Sequence, residues 1–219
     1  MDQRIVFCDF DGTITVDETF VAVLRRYAPE LSAELIPQMY QLKLTLREGV
    51  RRMLESIHSS AYPEILEFVR TQRQRTGLPE FLAFLEQHQV PFVVISGGLQ
   101  GMVAAALEPL QSQIQAIYGV EVDTTGDRFQ VTSPAEGETD FVDKVALMSR
   151  HPAHEKIIIG DSVTDLNMAL AADIVFARDR LADYLDERNI PYHPWHNFYD
   201  IKKVLEDSLN TNFLKTRAD

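Results

Sequence analysis

Four short runs of apolar residues recur along the chain, and each one ends in polar residues or glycine. The runs cover residues 5–8, 91–95, 156–160 and 174–177. Their β-branched and aromatic content, without polar alternation, is typical of strands that are buried on both faces. Helical periodicity marks segments between them, at residues 78–88, 142–148 and 163–172. This alternation predicts an α/β fold with a Rossmann-like parallel sheet and helices on both of its faces.

One long segment does not alternate in this way. Four consecutive amphipathic helical patterns follow the first strand, at residues 18–27, 30–41, 46–57 and 62–72. An all-helical block of this length exceeds a normal crossover connection, so we predict a small helical cap inserted after the first strand. The predicted division is a core domain of residues 1–16 and 76–219 and a cap domain of residues 17–75. Residues 116–133 alternate around a Thr-Gly-Asp turn and predict a β-hairpin appended to the core.

Composition narrows the classes of function. The 219 residues include 21 Lys and Arg against 33 Asp and Glu, which gives a net charge of −12. This charge argues against a nucleic-acid partner or an anionic membrane surface. The single cysteine, Cys8, excludes a disulfide framework, and no apolar run approaches the roughly 20 residues of a membrane span. Because the N-terminus also lacks a signal-peptide core, we predict a soluble cytoplasmic protein.

Carboxylates follow two of the predicted strands. Asp9 and Asp11 come directly after the first strand, and Gly12 permits a turn there. Asp161 follows the strand at 156–160, and Asp165 lies one helical turn later. Open parallel sheets bind ligands at the carboxyl ends of their strands. A solvated turn explains the first pair by itself, and helix capping explains Asp161, but neither explains four carboxylates at one sheet edge.

Four neighbouring carboxylates repel one another and call for a cation. Oxygen ligands favour a hard divalent ion, and Mg²⁺ is the usual choice beside phosphate. Ser96 and Gly97, after the strand at 91–95, offer a hydroxyl and backbone N–H groups to phosphate oxygens, although an ordinary strand-to-helix turn has the same sequence. Lys144, early in the helix before residue 156, can balance a phosphate dianion; a solvated surface lysine is the alternative.

Together, these motifs resemble the haloacid-dehalogenase superfamily of aspartate-nucleophile phosphatases. The DxDGT motif at Asp9, the strand-ending Ser96, the distant Lys144 and the GDxxxD motif at Asp161 occur in the order of that family. A helical cap after the first strand is similar to one branch of the family. The resemblance therefore implies a phosphatase built on a parallel sheet.

The resemblance also implies a role for each residue. Asp9 would attack phosphorus and form a phosphoaspartate, while Asp11 would protonate the leaving alkoxide and later activate water. Lys144 is the third implied catalytic residue. Ser96 and Gly97 are the implied phosphate ligands. The implied Mg²⁺ ligands are Asp9, Asp11 through its carbonyl, Asp161 and Asp165.

The cap is expected to select among small phosphorylated metabolites. The sequence around Glu18 resembles phosphoserine phosphatases, in which a Glu at this position contacts the substrate amine. Arg52 is a candidate ligand for a carboxylate or enolate oxygen, with an exposed helix face as the alternative. More of the chain resembles the methionine-salvage branch, whose substrate is 2-hydroxy-3-keto-5-methylthiopentenyl-1-phosphate. The segments that carry this second resemblance are residues 80–98, 159–169, 175–184 and 197–206.

We therefore predict a Mg²⁺-dependent phosphomonoester hydrolase of the methionine-salvage ester, with phosphoserine or another small metabolite as the alternative substrate. A phosphotransferase or mutase on the same scaffold is a further alternative and requires a cap that excludes water. A binding module without catalysis is the third class. It is disfavoured because Asp9, Asp11, Ser96, Lys144 and Asp161 are all present.

Overall fold

A computed structural model describes residues 2–215 of the chain, and its centre is a seven-stranded sheet. The strands are β1 (Asp2–Cys8), β2 (Phe92–Leu99), β3 (Ala116–Asp123), β4 (Gln130–Thr132), β5 (Ala153–Gly160), β6 (Ile174–Ala177) and β7 (His193–Pro194). Their order across the sheet is β4-β3-β2-β1-β5-β6-β7. All neighbouring pairs are parallel except β3 and β4.

In the part of the chain that the structure describes, ten α-helices connect and cover these strands. They are α1 (Thr19–Tyr27), α2 (Pro29–Tyr40), α3 (Leu46–Glu55), α4 (Tyr62–Arg70), α5 (Leu78–Gln87), α6 (Gln100–Ala106), α7 (Lys144–Met148), α8 (Leu166–Leu170), α9 (Asp179–Glu187) and α10 (Phe198–Lys215). Within residues 2–215, none of these helices is both long enough and apolar enough to span a membrane.

The topology creates a crevice beside β1. Parallel strands extend from β1 in both directions, to β2 and β3 on one side and to β5, β6 and β7 on the other. Because parallel crossovers are right-handed, the helices of the two halves lie on opposite faces of the sheet. The direction of winding reverses between β1 and β5, and ligands bind at such switch points. This arrangement confirms the predicted α/β class.

The apolar runs form the centre of the core. Val6, Phe7 and Cys8 of β1 are fully buried and pair in register with the equally buried apolar residues 157–159 of β5. Consecutive apolar positions are required here because both faces of the sheet are covered by helices. The pattern of the sequence and the position of the strands therefore agree.

The helical insertion predicted after the first strand is present as α1–α4, between β1 and α5. Local signals set the bounds of its helices. Pro29 occupies the first turn of α2, and the hydroxyl of Thr45 caps α3 by accepting a hydrogen bond from the Glu48 N–H (3.1 Å). Leu35 and Met53 are fully buried between the helices. The limits of the two domains, 17–75 for the cap, stay a prediction.

The segment predicted as a hairpin contributes to the main sheet. β3 and β4 pair antiparallel, and β3 also pairs in parallel with β2 through residues 116–118. The hairpin then contacts the helical insertion, because the Phe129 N–H donates to the Ile57 carbonyl (3.0 Å). Arg51 of α3 also pairs with Glu136, just after β4 (2.5 Å). Residues 116–136 therefore connect the sheet to the insertion.

Candidate active site

Three buried carboxylates meet at the switch point of the sheet. The Asp9 N–H donates to the Ile159 carbonyl (3.0 Å), which places the carboxyl ends of β1 and β5 side by side. One ligand oxygen from each of Asp9, Asp161 and Asp165 lies within 4.8 Å of the others. The structure thus brings together three of the four predicted acidic residues in a single cluster.

Two glycines make room for this cluster. Gly12 has a φ of +79°, a left-handed conformation that other residues rarely adopt, and a Cβ at this position would overlap with Asp161 Oδ2. A Cβ at Gly160 would lie 2.8 Å from Asp165 Oδ2. The absence of a side chain at both positions therefore permits the close approach of the carboxylates.

Lys144 connects two members of the cluster. It is the first residue of α7, whose preceding residue, Asp143, caps the helix by accepting a hydrogen bond from Ala146 N–H (2.9 Å). The Lys144 Nζ donates to Asp9 Oδ1 (2.5 Å) and to Asp165 Oδ1 (2.7 Å), and all three side chains are buried. Burial by itself lowers the pKa of Lys144, but the carboxylates of Asp165 and Asp9 outweigh burial and raise the pKa above its ordinary value.

Both oxygens of the Asp165 carboxyl group accept hydrogen bonds. Its Oδ1 accepts from Lys144, and its Oδ2 accepts the backbone N–H groups of Asp161 and Ser162 (both 3.1 Å). Asp165 therefore helps to cap the turn at residues 162–165 while it also binds Lys144. The helix cap expected at Asp161 is therefore formed by Ser162 together with Asp165, and Asp165 also takes part in the acidic cluster.

The cluster contains more acidic groups than basic ones. Full ionisation of its three carboxylates against one ammonium would leave two negative charges. Burial and the Asp165 carboxylate raise the pKa of Asp9 well above its ordinary value, and the same two causes raise the pKa of Asp161 to about 7. A hard divalent cation would neutralise both charges, and the all-oxygen donor set fits such an ion.

Asp11 lies apart from the three clustered carboxylates. Its Oδ1 accepts a hydrogen bond from the backbone N–H of Phe20 (2.9 Å), in the first turn of α1. A Cβ on Gly98 would lie 3.3 Å from its Oδ2, so the Asp11 side chain extends between the insertion and the end of β2. Burial and the Asp9 charge raise the pKa of Asp11 to about 7. This carboxyl is therefore suited to exchanging a proton near neutral pH.

The end of β2 forms the opposite wall. Ser96 is fully buried, and its Oγ accepts a hydrogen bond from the Gly98 N–H (3.0 Å). Gly97 is exposed, with no atom within 4 Å of the point where a Cβ would stand. The regular pairing of β2 with β3 is interrupted between Ile95 and Leu99. The interruption coincides with the exposed Gly97, where an anion can approach the backbone closely.

A pocket of about 240 Å³ opens next to Asp161. Its lining residues are Gly12, Val16, Glu18, Asp161, Ser162, Asp179 and Arg180. The structure thus places Glu18 at the site. Arg52 lies elsewhere, on the exposed side of α3, 3.7 Å from Glu48 one helical turn away. The position of Arg52 matches the exposed-helix alternative and is outside the lining of this pocket.

Two arginines at the site were missed by the sequence analysis. Arg75 is buried below the loop that follows β1, where its guanidinium donates to the carbonyls of Thr13 (2.9 Å) and Gly12 (2.5 Å). It also stacks on Trp195, with 5.2 Å between Cζ and the ring centroid. Arg180 lines the pocket at the start of α9. Neither residue belongs to a motif of its own, so spacing along the chain offers no signal for them.

Residues 6–170 match the haloacid dehalogenase-like hydrolase family, and the chain belongs to this family. A 2-hydroxy-3-keto-5-methylthiopentenyl-1-phosphate phosphatase of Microcystis aeruginosa (strain NIES-843) is 53% identical over 205 residues, which cover 93% of this chain and 98% of the relative. The phosphatase of the same name from Geobacillus kaustophilus is 34% identical over 212 residues, with 93% and 96% covered. The family predicted from the motifs is therefore confirmed.

Solved structures show the same fold. A phosphoserine phosphatase from T. onnurineus, in complex with NDSB-201, aligns with a TM-score of 0.69 over 91% of this chain and 92% of its own. The two sequences are 16% identical. At this identity the likeness establishes the architecture alone.

Proposed function

We propose that the chain hydrolyses a phosphate monoester through a phosphoaspartate formed on Asp9. The observation that carries this proposal is the bridge of Lys144 between Asp9 and Asp165, beside Asp161, at the switch point of the sheet. The bridge places a cation against the proposed nucleophile within a buried acidic cluster. Membership in a hydrolase family supports the same reaction class.

The reaction divides into two proton-balanced steps. In the first step an oxygen of Asp9 attacks phosphorus, the bond from phosphorus to the ester oxygen breaks, and Asp11 gives its proton to the departing alkoxide. In the second step water attacks the phosphoaspartate, Asp11 takes a proton from that water, and inorganic phosphate leaves. The raised pKa of Asp11, about 7, favours its holding the proton at the start. Lys144 stays ionised and counters the charge on Asp9.

The proposed cofactor is Mg²⁺. Asp9, Asp161, Asp165 and the carbonyl of Asp11 would hold it, as the resemblance to the family implies. When bound, the ion would neutralise charge between the nucleophile and the phosphate. Ser96 and the Gly97 N–H would bind phosphate oxygens; the Ser96 Oγ already accepts the Gly98 N–H, an arrangement in which its own hydrogen is available to donate.

The proposed substrate is 2-hydroxy-3-keto-5-methylthiopentenyl-1-phosphate. The identity of 53% to a phosphatase of that name, across almost the full length of both chains, supports this choice. Phosphoserine is the second candidate because Glu18 lines the pocket, where a carboxylate can contact an amine. We further propose that residues 17–75 act as the cap, since Glu18 and the Phe20 N–H bring the insertion to the site. Both candidates are small metabolites, which fits the predicted cytoplasmic location of the protein.

The test compares phosphate release from the methylthio ester, phosphoserine and p-nitrophenyl phosphate in Mg²⁺ buffer. We expect kcat/KM for the methylthio ester to exceed that for phosphoserine by about 100-fold or more. The Asp9→Asn variant keeps the size of the side chain and should lose at least about 1,000-fold in kcat on every ester. A variant that turned over at the parental rate would show that Asp9 is not the nucleophile, and a reversed substrate preference would select phosphoserine.

A further inference from the structure

The pocket beside Asp161 has an unusual balance of charge. Glu18, Asp161 and Asp179 contribute carboxylates to its lining, and Arg180 is the only cation among the described residues that line it. Lys144 is already engaged by Asp9 and Asp165. Apart from the proposed Mg²⁺ on Asp161, an anionic or oxygen-rich substrate that enters this pocket therefore meets one positively charged side chain, Arg180.

Backbone contacts place Arg180 next to the acidic cluster. Asp179, the residue before it, has a φ of +47°, a conformation that costs a non-glycine residue free energy and that is found at functional sites more often than elsewhere. The Leu181 N–H, directly after Arg180, donates to the Asp161 carbonyl (2.9 Å). Arg178 anchors the same turn, with its Nε donating to Asp179 Oδ2 (2.8 Å). Arg180 is therefore positioned from both sides of its own backbone.

The helical insertion supplies the partner of the Arg180 side chain. Whereas Arg178 and Arg188 of the same segment pair with carboxylates, the Arg180 guanidinium lies over the ring of Tyr40, 5.2 Å from its centroid. Tyr40 is the last residue of α2. A side-chain hydrogen bond with Tyr40 raises the pKa of Arg180, which stays charged, and the other N–H donors of the planar guanidinium can bind oxygens of a substrate.

We propose that Arg180 is a substrate-binding residue that recognises the keto and hydroxyl oxygens next to the phosphate of the ester. Ser96, Gly97 and Lys144 lie on the side of the site that we assign to the phosphate group. Arg180 is therefore available to bind the rest of the substrate. The inference rests on the proposed function and deepens it. Tyr40 acts as the positioning residue, because it covers one face of the guanidinium.

The experiment uses two esters and two matched variants. Arg180→Met removes the charge and keeps the length of the side chain, and Arg188→Met does the same at the other end of α9, where Arg188 lies over Tyr184. With the methylthio ester, we expect Arg180→Met to raise KM about 10–100-fold while kcat stays within about threefold. With p-nitrophenyl phosphate, which has no oxygens of this kind, kcat/KM should stay within about threefold. Arg180→Lys should have a KM for the methylthio ester between those of the wild type and Arg180→Met. Arg188→Met should match the wild type in kcat and KM on both esters.

The possible results separate the assignment of Arg180 from the proposed function. An unchanged KM for the methylthio ester in Arg180→Met, or an equal loss on both esters, overturns the assignment of Arg180 and leaves the proposed function intact. If the wild type prefers phosphoserine, the proposed substrate fails, and the same KM comparison with phosphoserine still tests Arg180. A wild type that hydrolyses only p-nitrophenyl phosphate overturns both. Thermal unfolding of each variant separates a loss of binding from a loss of folding.

Discussion

Asp11 differs from its three acidic neighbours in what its carboxyl group contacts. Asp9, Asp161 and Asp165 converge on one another, whereas Asp11 accepts a hydrogen bond from the backbone of Phe20 in the insertion. A carboxyl outside this cluster can gain and lose a proton without disturbing the three clustered carboxylates. The positions of the four side chains therefore fit the proposed division between proton transfer at Asp11 and cation binding at the cluster.

At the residue scale, we predict that Asp11→Asn accumulates the phosphoaspartate. The amide oxygen can still accept the Phe20 N–H, so the local structure is retained. p-Nitrophenolate is a good leaving group that needs no proton, so the first step continues, whereas the water of the second step loses its base and slows by about 100- to 10,000-fold. Stopped-flow absorbance should show a burst of about one p-nitrophenol per enzyme followed by slow turnover.

The control is Asp127→Asn, which makes the same chemical change on the exposed side of the β3–β4 hairpin. It should show the steady-state rate of the wild type. An Asp11→Asn variant without a burst and with parental turnover would falsify the assignment of Asp11 as the acid and base.

At the scale of elements, the shape of the proposed phosphate-binding end of β2 depends on how closely β3 approaches it. The pairing of the two strands is irregular between Ile95 and Leu99, and Gly119 of β3 faces this irregularity. A Cβ on Gly119 would lie 2.8 Å from the Gly98 carbonyl oxygen and 2.9 Å from the Gln100 nitrogen. Since both are backbone atoms, they cannot turn away as a side chain would.

We predict that Gly119→Ala destabilises the protein and displaces the backbone around Gly97. The added methyl group forces β3 away from β2, at a cost of about 1–3 kcal/mol in the free energy of unfolding. Urea denaturation measures this cost, and KM for p-nitrophenyl phosphate should rise in parallel.

Gly126→Ala is the matched control, because the nearest atom to its Cβ would be 3.8 Å away. The free energy of unfolding of this variant should stay within about 0.5 kcal/mol of that of the wild type. Equal stability of the two variants would contradict the close approach.

At the scale of the whole molecule, the acidic cluster links metal binding to folding. The segments that follow β1 and β5 contribute the carboxylates, so the cluster exists only when these two strands pair. A cation that binds this cluster stabilises the folded state by mass action. In the absence of the cation, mutual repulsion of the buried carboxylates opposes folding.

We therefore predict that Mg²⁺ raises the Tm of the EDTA-treated protein. At 100 times the dissociation constant, binding contributes about 2.7 kcal/mol, which corresponds to about 5–10 °C for a chain of this size. In Asp161→Asn the Thr13 hydroxyl keeps an oxygen acceptor, but one ligand charge is lost, so the Mg²⁺ shift should largely disappear. Without the ion, this variant should unfold at the Tm of the wild type or above it. Scanning calorimetry at constant ionic strength measures the Tm of both proteins with and without Mg²⁺. An equal rise in Tm on adding Mg²⁺ would exclude Asp161 as a ligand.

Local patterns determined the strands, the insertion and the acidic residues of the site. Apolar runs mark buried strands because both faces of the sheet exclude water, and residues that follow such strands must lie at one edge of the sheet. This reasoning gave the positions of Asp9, Asp161 and Asp165 from the sequence by itself. Charge balance and the place of Lys144 in the helix before residue 156 made it a candidate, and the family resemblance added its catalytic role.

Only the tertiary structure decided which distant groups complete the site. Arg75 contacts the carbonyls of Gly12 and Thr13, and Arg180 contacts Tyr40, so these contacts join segments that are far apart in the chain. β3 likewise pairs on both of its edges, which alternation along a single strand does not reveal. Periodicity and spacing describe how a segment buries its own apolar face, whereas the partner of a side chain is set by how separate elements pack.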